Sequence, residues 1–564
     1  MKFSEIEYKR VSIDPVPEEL LLLERRLAEA DSAEEFMAAF RELDKYKKEL
    51  QTMSALVYIR HTIDTRDEYY RAEQDYYDQN MPALEDVFVR IGRSLLKSRF
   101  RDELESSIGS LALRNIELRE KAMSPQIIED MQLENALTTE YQALTASAKI
   151  MFEGKEVNLS QLAAYQESPS RDVREAAYRA EGSFYEQHKD RLDDIFARLV
   201  EVRTAMARKL GFNTYTEMAY CLRVRNCYGR AEIEAFREQV VAYVVPVVTE
   251  ILRRRDARCG IEDAKYWDRK LMFADGNPEP KGTPETIFAN GRKMYEALSD
   301  ETGEFMDFML HNDLFDVLSK AGKANGGYCI GLPGFDSPFI FANFNGTQDD
   351  VNVLTHECGH AFEAYISMRS MEYLDQTEFS SDVAEIHSMS MEFFTYPWME
   401  LFFETDTDKF YYNHLAEALL FWPYGSMVDH FQHIVYDEPQ LTPKERDDRW
   451  KELEGMYRPD ADFADLPHYH YGGMWQRQLH IYQYPFYYID YCLAQYAAVC
   501  FWLTMTGDRE AAWKTYLALV RKSGTKDYVT LLKEAGFATP FEARALEKIT
   551  EETMRYLDTI EVNI

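Results

Sequence analysis

Two histidines four residues apart, His356 and His360, flank Glu357 in the run Leu354-Thr355-His356-Glu357-Cys358-Gly359-His360. On a helix, residues at i and i+4 stand one above the other, so both imidazoles leave the same face and can share a metal ion. Glu357 lies one step round the helix, where it can reach a water on that ion without being a ligand. A catalytic zinc takes three protein ligands and keeps one position open, so a third donor must follow. The stretch SDVAEIHSMSMEFF (381–394) offers it: Ser380, Ser381 or Asp382 can cap a new helix, and Glu385 then falls in its first turn. A helix-borne carboxylate some twenty-five residues beyond the second histidine fits the two-His-one-Glu class of zinc peptidases. Glu378, Asp382 and His387 compete for the same role, and spacing alone does not separate them. Asp382 is also suited to orient a ligand from behind, because ligating histidines usually donate their other N–H to a carboxylate or carbonyl.

A third region, PHYHYGGMWQRQLHIYQYPFYYIDY (467–491), crowds His468, His470, His480 and many tyrosines around Gly472-Gly473. Most of these rings read as aromatic packing. Amide hydrolysis also needs donors for the oxyanion, and phenol or imidazole N–H groups serve beside a metal that polarises the carbonyl. His480, Tyr484 and Tyr491 are the candidates for that task.

The elements that must position these groups are mostly helical. Hydrophobic residues make up 46% of the 564, while Gly (25) and Pro (19) are scarce, which disfavours a turn-rich all-β chain. From Val16 to about Lys149, apolar residues recur every three or four positions, predicting a run of amphipathic helices. FEGKEVNLSQL (152–162) carries short β-like alternation, and Ser168-Pro169-Ser170-Arg171 can start a further helix. A soft boundary near Gln166 separates an N-terminal helical region (1–166) from a second region (167–564) that holds the candidate site residues. Pro246 should kink its helix, and DGNPEPKGT (275–283) is a loop. GGYCIGLPGFDSPFIFANFNG (326–346) has no helical period and reads as two short strands of a small sheet just before the His-bearing helix.

The formal charge of −34 disfavours partnership with nucleic acid or an anionic membrane surface. Seven cysteines without a CxxC pair argue against a disulfide framework or a thiolate zinc site. The start, MKFSEIEYKR, has no apolar signal core, and Tyr491–Thr506 is too short and polar for a membrane span; it reads as a buried helix in a cytoplasmic protein.

With these three regions in place, the chain resembles the M3 family of zinc oligopeptidases, most closely its oligoendopeptidase F branch, over nearly its whole length. HECGHAFEAY (356–365) is similar to the family's signature helix, and DVAEIHSMSMEFF to its third-ligand helix, with Glu385 in the ligand place twenty-nine residues after His356. FEGKEVNLSQL, RKLGFNTYTEM, YWDRKLMFADG, HIYQYPFYYIDYCLAQYAA and YLALVRKSGTKDYVTLLKEAGF follow in the family's order. The resemblance implies a mainly α, roughly ellipsoidal molecule with a deep substrate channel, a small β-sheet beside the zinc-binding helices, and one zinc per chain on His356, His360 and Glu385. It implies Glu357 as the general base, His480 and Tyr491 as the substrate-binding and oxyanion-stabilising pair, and Tyr484 as a second tyrosine. The substrate backbone would pair with PFIFANFNG (338–346) at a sheet edge. The activity implied is internal cleavage of short peptides. The rivals are a metallocarboxypeptidase or dipeptidyl carboxypeptidase, which needs a fixed cation such as Arg477 for the terminal carboxylate, and an inactive helical peptide-binding protein.

Overall fold

The computed structural model describes residues 2–320, 322–324, 326–344 and 348–561. It is mainly helical with two small sheets. Two long N-terminal helices, α1 (Ala33–Ile63) and α2 (Glu68–Lys97), start at side-chain caps: Ser32 accepts from the Glu35 amide, and Asp67 from the amides of Tyr69 and Tyr70. Phe36, Phe40 and Leu43 of α1 and Leu84, Val87, Ile91 and Leu95 of α2 recur at helical spacing and bury against one another. These helices thus have their own apolar cluster, distinct from the larger core of the rest of the chain. Further along, α3 (Ile128–Ala146) packs on α4 (Lys189–Lys209).

Between α3 and α4 a hairpin pairs β1 (Ile150–Phe152) with β2 (Lys155–Val157) through Glu153 and Gly154, both at positive φ (48° and 78°), which suits the twist of a two-residue turn. The helix that starts after Ser170 runs from Arg171 to Gln187, as its Ser-Pro-Ser lead predicts. Pro246 has its effect one step upstream: a π turn over Val240–Val244 interrupts the helix before the proline, whose ring removes a backbone donor.

The second sheet has three strands where the sequence predicts two: β3 (Phe315–Leu318), β4 (Tyr328–Leu332) and β5 (Ser337–Phe344), in the order β3-β5-β4. β3 is only four residues long, too short for a clear period. β5 runs parallel to β3 and antiparallel to β4, in a register from Tyr328 opposite Phe341 to Leu332 opposite Ser337. The strand expected at an edge is therefore central, and the free edge beside the site belongs to β4. The near-continuous burial of β5, Ser337 through Ala342, is what a strand covered on both faces requires. Asn345 and Gly346, the end of the predicted strand, lie outside the described residues. Contacts from α1 fasten the N-terminal helices to this sheet: Thr62 Oγ1 and Tyr328 OH are 2.6 Å apart, and the Gly334 amide donates to Thr52 Oγ1 at 2.8 Å.

The helices of the site follow: α5 (Gln348–Ser370) against the sheet, α6 (Ser381–Phe394) against α5, the 31-residue α7 (Thr407–Asp437), and α8 (Tyr488–Gly507), the predicted buried helix. Among the described residues, no helix is long and apolar enough to cross a membrane.

Candidate active site

The approach of α5 to α6 is set by Gly359. A Cβ there would lie 2.6 Å from the His387 carbonyl oxygen and 2.7 Å from Ser388 Cα, so only glycine lets the two backbones come this close. Their closeness brings Glu385 under the two histidines. Glu385 Oε2 lies 3.3 Å from His356 Nε2 and 3.5 Å from His360 Nε2. Of the His, Cys, Asp and Glu side chains among the described residues, His356, His360 and Glu385 form the one group of three that could hold a metal, with donor atoms all within 4.8 Å of one another. Two imidazole nitrogens and one carboxylate oxygen, converging on one point, suit a zinc ion with an open fourth position.

The competing donors are occupied elsewhere. Glu378 pairs with Arg119. His387 is fully buried, with Nε2 2.8 Å from Ser523 Oγ. Asp382 does not orient a ligand histidine: it accepts from Ser380, from the Val383 amide at 2.7 Å and from Tyr228 OH at 2.6 Å, tying down the first turn of α6. The orienting carboxylate is Glu392, two helical turns beyond Glu385 on α6. Its Oε1 accepts from His356 Nδ1 at 2.7 Å and its Oε2 from His414 Nε2 at 2.8 Å, and the phenol of Tyr396 meets His414 Nδ1 at 2.7 Å. This chain fixes the tautomer of His356 that offers Nε2 to a metal. Although burial opposes ionisation, the paired imidazoles hold Glu392 down at about 2. Burial likewise opposes the charge on Glu385, yet the neighbouring histidines keep it well below the usual carboxylate range.

Glu385 has two further partners: its Oε2 accepts from Ser388 Oγ at 2.9 Å and its Oε1 from Tyr487 OH at 2.8 Å. Glu357 stands beside this group and is not part of it. Burial raises its pKa, helped by the charge of Glu385 and opposed by the two histidines and the Cys329 amide of β4, so the group is poised to exchange a proton next to the edge strand.

His480 sits on a single helical turn (Leu479–Gln483) that a short link joins to α8. Gln478 Nε2 donates to His480 Nδ1 at 2.8 Å while Tyr424 OH donates to Gln478 Oε1 at 2.8 Å, which leaves the His480 Nε2–H as the outward donor. Burial, with the charge of Arg223, lowers its pKa to about 4, so the ring is neutral at pH 7. Tyr491 lies in the first turn of α8, its ring centroid 6.1 Å from that of His480 and 5.1 Å from that of Tyr487. Burial raises its pKa, with the charges of Glu385 and Glu357 adding to the shift, so the phenol stays protonated. Tyr484 is 48% exposed on the wall of a cavity, its ring 6.2 Å from His480. His468 and His470 are bonded within their own loop, to Tyr471 OH at 3.0 Å and the Leu466 carbonyl at 2.8 Å.

Two cavities are lined in part by β4 and by the link that follows His480. One, of about 550 Å³, is lined by Tyr58, Tyr77, Met81, Met123, Met131 and, from the edge strand β4, Ile330. The other, of about 430 Å³, is lined by Thr138, Gln142, Tyr215, Arg223 and Tyr484, and Asn135 borders both.

This pairing of a two-histidine helix with a carboxylate helix, in a mainly α chain, defines a metallopeptidase centre. Residues 3–123 match the model of the peptidase M3 N-terminal domain and residues 164–551 that of peptidase family M3. The chain belongs to peptidase family M3 and is a metalloendopeptidase. Oligopeptidase PepF of Bacillus subtilis (strain 168) is 22% identical over 582 aligned positions, 94% of this chain and 82% of that protein. The solved structure of PZ peptidase A with inhibitor 2 superposes at a TM-score of 0.94 with 43% identity, covering 100% of both chains. Oligoendopeptidase-F from Enterococcus faecium, 16% identical, shares the fold at a TM-score of 0.65 over 97% of this chain and 96% of that one.

Proposed function

We propose that this M3 peptidase hydrolyses internal bonds of short oligopeptides with one zinc ion held by His356, His360 and Glu385. The observation that carries the reading is the convergence of those three donors with Glu357 beside them and Glu392 behind His356. A zinc ion bound there would polarise the scissile carbonyl and acidify the attacking water. Glu357 takes the proton of that water and returns it to the leaving amine. The Nε2–H of His480 and the hydroxyl of Tyr491 donate to the oxyanion, and Tyr484 borders the substrate beside them. Tyr487 steadies Glu385 through its Oε1. The substrate main chain lies along the free edge of β4, next to Glu357. The region 1–166 forms one wall of the channel and 167–564 carries the catalytic groups, the two cavities being the parts of that channel nearest the site. Seven free thiols suit the reducing cytoplasm.

The cation named for the carboxypeptidase reading, Arg477, is engaged by Glu181 at 3.3 Å, and the position of the cuts decides between that reading and internal cleavage. An inactive binding protein would have no use for a base beside a complete ligand set. Metal analysis together with mass-spectrometric mapping of cleavage in a peptide-length series tests the proposal. Stoichiometric zinc with cuts at internal bonds is expected. Release of C-terminal residues only, or no zinc dependence, would overturn it.

A further inference from the structure

Three buried arginines behind the site come with acidic partners. Arg203 pairs with Glu134 at 2.6 Å, Arg225 with Asp490 at 2.9 Å and Arg237 with Asp429 at 2.7 Å. Arg223 differs from them. Its Nε donates to the Pro485 carbonyl at 3.2 Å and its guanidinium lies over the Tyr487 ring, 5.0 Å from the centroid, but among the described residues no carboxylate forms an ion pair with it. The acids nearest to it are spoken for: Asp490 by Arg225, and Glu134, across the same cavity, by Arg203. Half-buried without an ion-paired carboxylate, Arg223 has its pKa lowered by desolvation, which the charge of Asp490 opposes only in part.

The position of this cation gives it a use. It lines the 430 Å³ cavity together with Tyr484, whose neighbour in space is His480, and it stacks on Tyr487, whose hydroxyl bonds Glu385. Its charge reaches His480 itself. A planar guanidinium with free N–H groups, in a protein-walled space beside a hydrolytic centre, is built to take a carboxylate in bidentate fashion. We propose that Arg223 binds a carboxylate of the peptide substrate, either the C-terminal one or an acidic side chain, and so makes the enzyme select peptides that place a negative charge in this cavity. The inference rests on the peptidase reading above and adds to it the residue that sets the charge and reach of the substrate. It also gives a physical reason for short substrates: a chain that ends in this cavity supplies the carboxylate that a long chain passing through does not.

The test compares one quenched fluorescent peptide as free acid and as C-terminal amide, on zinc-loaded wild type and on Arg223→Gln and Arg223→Lys. A charge-assisted contact predicts that wild type favours the free acid by about 10–100-fold in kcat/KM, mainly through KM. Arg223→Gln should bring that ratio to about one, and Arg223→Lys should keep part of it, which a purely structural role for the guanidinium would not produce. Amidated peptides carrying Asp at successive positions beyond the scissile bond distinguish the sources: recovery at one position assigns the contact to a side chain, and no recovery to the terminus. Equal cleavage of acid, amide and Asp-bearing peptides by wild type overturns the inference without involving any variant, as does a ratio that survives Arg223→Gln. Failure of wild type to cut any of them would instead overturn the peptidase reading.

Discussion

The two halves of the active site are held in place by different means. The donors on α5 and α6 ride on regular helices pressed together at Gly359, and their spacing follows from helical geometry and one close backbone contact. His480 rides on a single helical turn (Leu479–Gln483) and Tyr487 on the irregular link after it, in which Phe486 has φ of 62°, and buried arginines tie down carbonyls of both. Arg203 donates to the carbonyls of Ile481 and Tyr482, at 3.4 and 2.5 Å, and Arg225 donates to that of Phe486. The first half resists change because helices pack as rigid bodies; the second depends on charge-assisted bonds from elements more than two hundred residues away in sequence. The metal corner is therefore expected to fail all at once when a ligand is lost, and the arginine-tethered segment to fail by degrees.

The largest effects should come from the rigid corner. Glu385→Ala, His356→Ala or His360→Ala is expected to lose both bound zinc and activity, while Glu357→Gln keeps its zinc and loses about 10²–10⁴-fold in kcat. Metal content measured beside kinetics separates the two, and substantial turnover by zinc-loaded Glu357→Gln would remove Glu357 from the base role. Next comes the tethered half. Tyr491→Phe should lower kcat by about 10²–10³-fold with little change in KM, whereas Tyr484→Phe, on an exposed cavity wall, should stay within a few-fold of wild type. If Tyr484→Phe were the more damaging, the oxyanion donor would have to be reassigned to it.

Glu392→Gln should weaken zinc binding by about 10–100-fold, because an uncharged amide offers one acceptor oxygen where His356 and His414 now use two. Competition with a chelator measures this, and native affinity would make the Glu392 chain a packing feature. Arg225→Met leaves Asp490 buried and unpaired, at a cost of about 3–5 kcal/mol in stability. Its effect on kcat should be graded, and an all-or-none loss of activity in the folded variant would contradict the contrast drawn above.

The smallest effect is a pH slope from the rigid corner. Glu363, buried on α5 with one carboxyl oxygen unpartnered, has its pKa raised by burial to about 8. The folded state therefore holds this proton where the unfolded state has released it, so stability falls as pH rises from the ordinary carboxylate range to about 8. Glu363→Gln should remove that slope, to be read as melting temperature from pH 5 to 8. A slope unchanged in the variant would place the titrating group elsewhere.

The sequence by itself determined the helical class, the pairing of His356 and His360, and Glu357 beside them, because helical periodicity is local and four residues decide it. It narrowed the third ligand to a few acids and one histidine, and the resemblance pointed to Glu385. Only the tertiary structure decided what depends on distant segments: that β5 is central and β4 the edge, that Glu392 and not Asp382 backs His356, and that Tyr487 reaches Glu385 from a segment about a hundred residues on. In YPFYYIDY the sequence singled out Tyr484 and Tyr491 and missed Tyr487, since ring directions depend on where α8 begins and on the left-handed turn at Phe486. Arg223 shows the same limit. In sequence it is one arginine of a pair flanking Val224, and only the packing gives Arg225 an aspartate and leaves Arg223 facing a cavity without one.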